Sequence, residues 1–193
     1  EEIVEMMEAR YGRAQRIWAL DRGMVSEDNL DFRKAGKRHF IVGTPKSQLK
    51  RFEQELLAKD WQEVQAGVEV KLCEAEGELF ILCRSEGRKE KDRAIVKRFE
   101  NRIQRRLEKL KIQIEKGRLK QAAGIERRIG KILGQNTRAQ SLFEVTLEKT
   151  KTGKTLRIEK KEAKRQWAEL SEGCYLLRTN FRDQKDPKDL WKT

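Results

Sequence analysis

One aspartate stands where sheet proteins often place their chemistry. In the run RIWALDRGMVS, the apolar residues Ile17 to Leu20 lead straight into Asp21, and Gly23 follows two residues on. If Ile17 to Leu20 is a strand of a parallel sheet, Asp21 lies at its carboxyl end, where open α/β sheets gather functional groups. A carboxylate there can hold a hard cation such as Mg²⁺, which takes one or two protein carboxylates plus phosphate oxygens. Two such ions can clamp an in-line displacement at phosphorus. The bland alternative is a turn residue that shapes the entry to the next helix.

A second concentration of chemistry is electrostatic. Between Arg88 and Lys131 there are 17 Lys or Arg and six Asp or Glu, an excess of 11 in a chain whose whole formal charge is +13. Lys97, Arg98, Arg102, Arg105, Arg106 and Lys109 avoid the apolar stripe of this segment and can lie along a phosphate backbone. The alternative is a solvated face of good helix formers.

Other groups offer less. His39 is the only histidine, which excludes a multi-histidine metal site, and it reads as a strand-edge residue. Cys73, Cys83 and Cys174 lack metal-ligand spacing. With Glu76-Gly77 as a two-residue hairpin turn, Cys73 faces Phe80 and Cys83 faces Val70 on opposite faces of the ribbon, so the two cannot bridge. Trp18, Trp61, Trp167 and Trp191 can in principle stack on unpaired bases, but the contexts of Trp18, Trp61 and Trp167 favour packing. Gly43-Thr44-Pro45-Lys46-Ser47 lacks the spacing of a phosphate loop.

The elements that must position these groups follow from periodicity and caps. Ile3, Met6, Met7 and Ala9 mark a helix over Glu2 to Tyr11, stopped by Gly12. Ile17 to Leu20 reads as a short buried strand. Ser26 is an N-cap, Glu27 and Asp28 occupy the first turn, and Val25 and Leu30 form a hydrophobic staple, so a helix runs from Glu27 to Ala35. His39 to Val42 is a second buried strand, which makes a βαβ unit with parallel strands. A helix over Gln48 to about Ala58 and a hairpin of Val68 to Cys73 with Glu78 to Cys83 come next. Ile95, Phe99, Ile103, Leu107, Leu110 and Ile114 then trace a helical stripe. Gly117 breaks it, and Leu119, Ala122, Ile125, Ile129 and Leu133 resume it as a second, antiparallel helix. Phe143 to Leu147 and Leu156 to Ile158 form another hairpin with a turn near Lys151 to Lys154. Tyr175 to Thr179 is a strand, and Asp186-Pro187 starts a last helix, which at Thr193 looks cut short.

Composition bounds the rest. The chain has 193 residues, 37% hydrophobic and 40% charged, enough for one domain with long solvated helices. An excess of positive charge favours polyanionic partners. No apolar run approaches the ~18 residues of a membrane span, and no membrane partner is expected. No secretory leader is visible. The absence of an initiator Met points to a piece of a longer protein.

Several blocks together resemble a known family: Tyr11-Gly12-Arg13-Ala14-Gln15-Arg16-Ile17-Trp18-Ala19-Leu20-Asp21-Arg22-Gly23-Met24, then Phe40-Ile41-Val42-Gly43-Thr44-Pro45-Lys46, then Trp61-Gln62-Glu63-Val64, then Tyr175-Leu176-Leu177-Arg178-Thr179-Asn180. In order along nearly the whole chain they are similar to bacterial insertion-sequence transposases of the Asp-Asp-Glu type, with a ribonuclease-H-like core. The resemblance implies an α/β (overall α+β) fold: a partial ribonuclease-H-like core carrying the βαβ unit over residues 1–46, an insertion of antiparallel hairpins and a basic helical hairpin (88–133) over 47–170, and a return strand with the start of a truncated helix over 171–193. It matches Asp21 to the second catalytic aspartate, a Mg²⁺ or Mn²⁺ ligand.

The resemblance also implies departures. The first catalytic Asp would precede Glu1 and the catalytic Glu would follow Thr193; Glu162 and Glu172 sit too early to be it. The expected activity is metal-dependent DNA cleavage and strand transfer by the full-length protein, with none from this piece alone. Transposon-end and target DNA are the expected partners, a homodimer the expected full-length assembly, and the bacterial cytoplasm, at the nucleoid, the expected location. The competing expectations are a non-catalytic, basic nucleic-acid-binding module, in which Asp21 is structural, and a remnant that folds poorly.

Overall fold

The computed structural model describes residues 2–12, 17–21, 23, 26–151, 153–183 and 186–192. Arg13 to Arg16, Arg22, Met24 and Val25 lie outside the described residues, and with them the staple drawn through Val25, as does Thr152 of the expected second turn. The chain divides into two compact units, Glu1–Lys89 with Gly173–Thr193, and Glu90–Glu172.

The first unit is built on a six-stranded mixed sheet whose strands lie in the order β1 (Ile17–Leu20), β2 (His39–Gly43), β8 (Cys174–Thr179), β5 (Glu78–Ser85), β4 (Val68–Ala75) and β3 (Gln62–Gln65). Helix α1 (Glu2–Tyr11) precedes β1 (Ile17–Leu20), α2 (Glu27–Ala35) and β2 (His39–Gly43). Strands β1 and β2 are parallel, Ile17 opposite His39 and Leu20 opposite Val42. Helix α2 starts where its cap dictates: Asn29 N–H donates to Ser26 Oγ at 3.2 Å, which satisfies one of the orphan donors of the first turn. Leu30 of α2 packs on Phe40 and Val42, with Trp18 and Leu20 at the margin.

Strand β1 departs from expectation. None of its four residues is buried and Ala19 is exposed. It lies at the end of the sheet order, so β2 is its one strand partner among the described residues, and apolar character alone does not cover it.

A 3₁₀ helix (Lys46–Phe52) runs into a short α3 (Glu53–Leu57), where a single α-helix was expected. Strands β3 (Gln62–Gln65), β4 (Val68–Ala75) and β5 (Glu78–Ser85) follow. The turn between β4 and β5 has Glu76 at φ 54° and Gly77 at φ 75°, the left-handed pair that a two-residue hairpin requires. The register is therefore the expected one, with Cys73 opposite Phe80 and Cys83 opposite Val70. Alternation turns Val68, Val70, Ile81 and Cys83 into one core, capped by Leu190 of α7 (Pro187–Lys192) and flanked by Trp191. Phe80 turns the other way and meets the Phe52 ring at 5.1 Å. Asp186 caps α7 as its sequence implies, its Oδ1 accepting from Lys188 N–H at 2.9 Å.

Strand β8 (Cys174–Thr179) lies between β2 and β5, antiparallel to both. The first hairpin, expected in an insertion beginning after Lys46, thereby shares one continuous sheet with β1 and β2. Beyond the last ladder pair, side chains continue the pairing: Thr179 Oγ1 donates to Phe40 O at 2.6 Å, and Asn180 accepts from Phe40 N–H at 2.9 Å and donates to Arg38 O at 2.8 Å.

The second unit holds most of α4 (Glu86–Glu115), α5 (Ala122–Gly134), the ribbon of β6 (Phe143–Thr150) with β7 (Gly153–Lys160), and α6 (Glu162–Leu170). Ile103, Leu107, Leu110 and Ile114 form the buried stripe of α4. Gly117, at φ 69°, ends α4 in a left-handed cap: Arg118 N–H donates to Gln113 O at 3.0 Å and Gly117 N–H to Ile114 O at 2.9 Å. Ile125 and Ile129 of α5 close on Leu110, Ile114 and Leu156, and Leu142 and Phe143 close on Ile103 and Leu107.

Candidate nucleic-acid interface

Asp21 is exposed and directly follows β1. Because β1 and β2 are parallel, it stands at the carboxyl end of both. The nearest carboxylates in sequence include that of Glu27, which is engaged with the Arg178 guanidinium at 2.8 Å; Arg178 also holds Glu78 at 2.5 Å. That pairing holds the Glu27 carboxyl below its usual range. Burial works against ionisation of Glu78, yet hydrogen bonds from Arg178 and Lys34 leave its pKa lowered as well. No group of three or more His, Cys, Asp or Glu side chains is placed to hold a metal ion among the described residues. Among the described residues, Asp21 therefore belongs to no three-ligand set that would fit a Mg²⁺ or Mn²⁺ ion.

The basic residues on α4 are arranged more tellingly. An α-helix turns about 100° per residue, so Arg98, Arg102, Arg105 and Lys109, at spacings of four, three and four, share one face with Arg106 beside it. All five are exposed, and no Asp or Glu of α4 falls on this face. Among the described residues, none of the five is in an ion pair. The Arg98 and Arg102 guanidinium groups each lie 5.6 Å from the Phe99 ring centroid, which steadies them without neutralising them. Helix α5 adds Arg128 and Lys131 beside Arg106 and Lys109. Both are among the 17 basic residues between Arg88 and Lys131, but only six on α4 were expected to face DNA; the 3.6-residue period of α5 carries the same signal.

Lys97 goes elsewhere. About 100° round the helix from Arg98, it lines a cleft with Arg93, Glu100, Lys160, Arg165, Glu169 and Glu172. There cations meet acids: Lys160 with Glu100 at 2.5 Å, Arg165 with Glu169 at 3.0 Å, and Arg93 with the buried Glu172 at 3.1 Å. The structure thus groups five of the six basic residues singled out on α4 and separates the sixth.

The remaining candidates pack. The His39 ring meets Phe181 edge-on at 4.8 Å. Trp61 donates from Nε1 to Ala58 O at 2.8 Å and lies under the Arg84 guanidinium at 4.3 Å. Trp191 donates to Tyr175 Oη at 2.9 Å. None of the three cysteines is in a disulfide and all are buried, and burial pushes the Cys73 thiol up to about 11 and the Cys83 thiol to about 12. No helix among the described residues is long and apolar enough to cross a membrane.

Neither a family model, nor a curated protein, nor a solved structure matches this chain.

Proposed function

We propose that the chain is a piece of a DNA transposase of the Asp-Asp-Glu type, and that its second unit grips DNA through the exposed face of α4. The observation that carries the DNA contact is the acid-free face of Arg98, Arg102, Arg105, Arg106 and Lys109, none of them ion-paired among the described residues. Such a face binds a phosphate backbone by releasing its condensed counterions. The transposase assignment draws on the residue blocks quoted above and on the parallel β1–α2–β2 unit that presents Asp21 at its carboxyl end. In this reading the first unit is part of a ribonuclease-H-like core, and Asp21 is one of three metal-binding carboxylates in the full-length protein. A homodimer acting on transposon ends and target DNA at the nucleoid belongs to the same reading.

The test uses the full-length protein. Asp21→Asn is expected to abolish cleavage of transposon-end DNA while leaving its binding intact. Retained cleavage removes Asp21 from the mechanism. A second reading is a non-catalytic nucleic-acid-binding module, which rests on the exposed basic face of α4 alone. It predicts DNA binding with no cleavage from the full-length protein either, whatever stands at position 21.

A further inference from the structure

We infer that the groove between α4 and α5 is a seat for the phosphate backbone of duplex DNA, formed by Arg106 and Lys109 from one helix and Arg128 and Lys131 from the other. The groove has a volume of about 300 Å³. Those four cations line it together with Gln113 and Gln135, and among the described residues no carboxylate does. Leu110 and Ile132 supply its apolar lining.

The two glutamines are the informative residues. Gln135 accepts from Arg106 Nη1 at 2.5 Å, and Gln113 accepts from Arg128 Nη1 at 3.3 Å. A glutamate at either position would hold its arginine equally well and cancel its charge. An amide orients the guanidinium and leaves the charge in place. A guanidinium has five N–H donors in a planar fork suited to phosphate oxygens, of which the amide takes one. Four like charges round one groove repel each other, and a bound polyanion relieves that repulsion.

Chain composition alone does not produce such a groove. The cleft on the other flank of α4 also has four cations, Arg93, Lys97, Lys160 and Arg165, but Glu100, Glu169 and Glu172 line it too. The two clefts belong to one unit, so the difference is local. The choice of duplex DNA among polyphosphates rests on the proposed function; the anion seat itself does not.

The experiment uses the whole 193-residue chain and a fluorescently labelled duplex of about 20 base pairs, titrated between 50 and 200 mM salt. Each phosphate contact adds about 0.9 to the slope of log K against log salt. Arg128→Gln with Lys131→Gln is expected to lower the slope by about 1.8 and the affinity at 0.1 M salt on the order of 10- to 100-fold, with unchanged circular dichroism and melting temperature. A second variant keeps every cation: Gln113→Glu with Gln135→Glu places acids beside Arg128 and Arg106 and is expected to lower the slope as well. If the first variant loses its fold, the second decides alone. An unchanged slope, while Arg102→Gln with Arg105→Gln lowers it, overturns the groove and leaves DNA binding by α4 standing. Absence of any salt-dependent binding by the wild-type chain overturns both.

Discussion

The two flanks of α4 carry similar cations in different states. On one flank Arg93, Lys160 and Arg165 are each held by a glutamate. On the other, Arg98, Arg102, Arg105, Arg106 and Lys109 have no acid within ion-pair distance among the described residues. Arg178 in the first unit is the limit of the held kind: its side chain is 12% exposed and it bridges Glu27 and Glu78. The difference teaches that net charge is a poor guide to a binding surface. A held cation is already spent on structure and contributes little to a counterion atmosphere. A cation without an acid partner is neutralised by small ions alone, and a polyanion can displace them.

The largest expected effect comes from reversing the open flank. Arg102→Glu with Arg105→Glu and Arg106→Glu removes three phosphate contacts and adds three repulsions. Salt-titrated binding to duplex DNA should lose more than 100-fold in affinity at 0.1 M salt, and the slope should fall by at least about 2.7. Unchanged affinity and slope would make this face a solvated scaffold and erase the distinction between the flanks.

Next in size is the held arginine. Arg178→Met leaves the carboxylates of Glu27 and Glu78 without their partner, and unfolding in urea should show a loss of about 1–3 kcal/mol at pH 7. The pH dependence has a definite sign. Both carboxyls have folded pKa values below their ordinary ones, so the stability they contribute is full above about pH 4.3 and is lost as pH falls through the folded values. The gap between wild type and Arg178→Met should therefore narrow below about pH 4. A gap that stays constant down to pH 3 would show that Arg178 acts by packing and not by charge.

Local elements of this molecule were legible from sequence, and long-range ones were not. Helix α2 runs from Glu27 to Ala35 as its Ser26 cap implies, because capping is settled within one turn. The β4–β5 register follows from a two-residue turn. Strand β1 misled: four consecutive apolar or small residues read as buried, but burial depends on sheet order, and β8 takes the other side of β2. Nothing near residue 17 encodes that. Strand β3 has Val64 as its one apolar residue and so offered no periodic signal; α6 did offer one, with Ala163, Trp167 and Leu170 at helical spacing, although none of its residues is buried. For the candidate surface, the period of α4 placed the basic face, whereas Glu100 meets Lys160 and Arg165 across about 60 residues of chain. Pairing at that separation is invisible to a helical wheel.

A smaller effect should come from opening the held flank. Glu100 is 18% exposed at its side chain and meets both Lys160 and Arg165. Glu100→Gln frees the first and loosens the second. DNA affinity at 50 mM salt should rise by roughly threefold, the worth of about one added phosphate contact over a fourfold range of salt. Stability should fall by no more than about 1 kcal/mol, since both partners are substantially exposed. If affinity stays level while stability falls, the held flank lies away from the DNA path and the contrast is one of position as well as pairing.

The smallest effect is the sharpest discriminator, because it concerns two neighbours in sequence. Arg98 and Lys97 are both exposed, both basic and adjacent, and sequence alone treats them alike. Arg98 lies on the acid-free face beside Phe99, whereas Lys97 lines the cleft with Glu100, Glu169 and Glu172. Arg98→Gln should lower the salt slope by about 0.9. Lys97→Gln should leave the slope within experimental error of wild type, because the acids round it already screen its charge from a polyanion. Each change keeps a good helix former at an exposed position, so stability should move by less than about 0.5 kcal/mol in either case. Equal slopes for the two variants would mean that DNA senses the total charge of the helix and not which flank carries it.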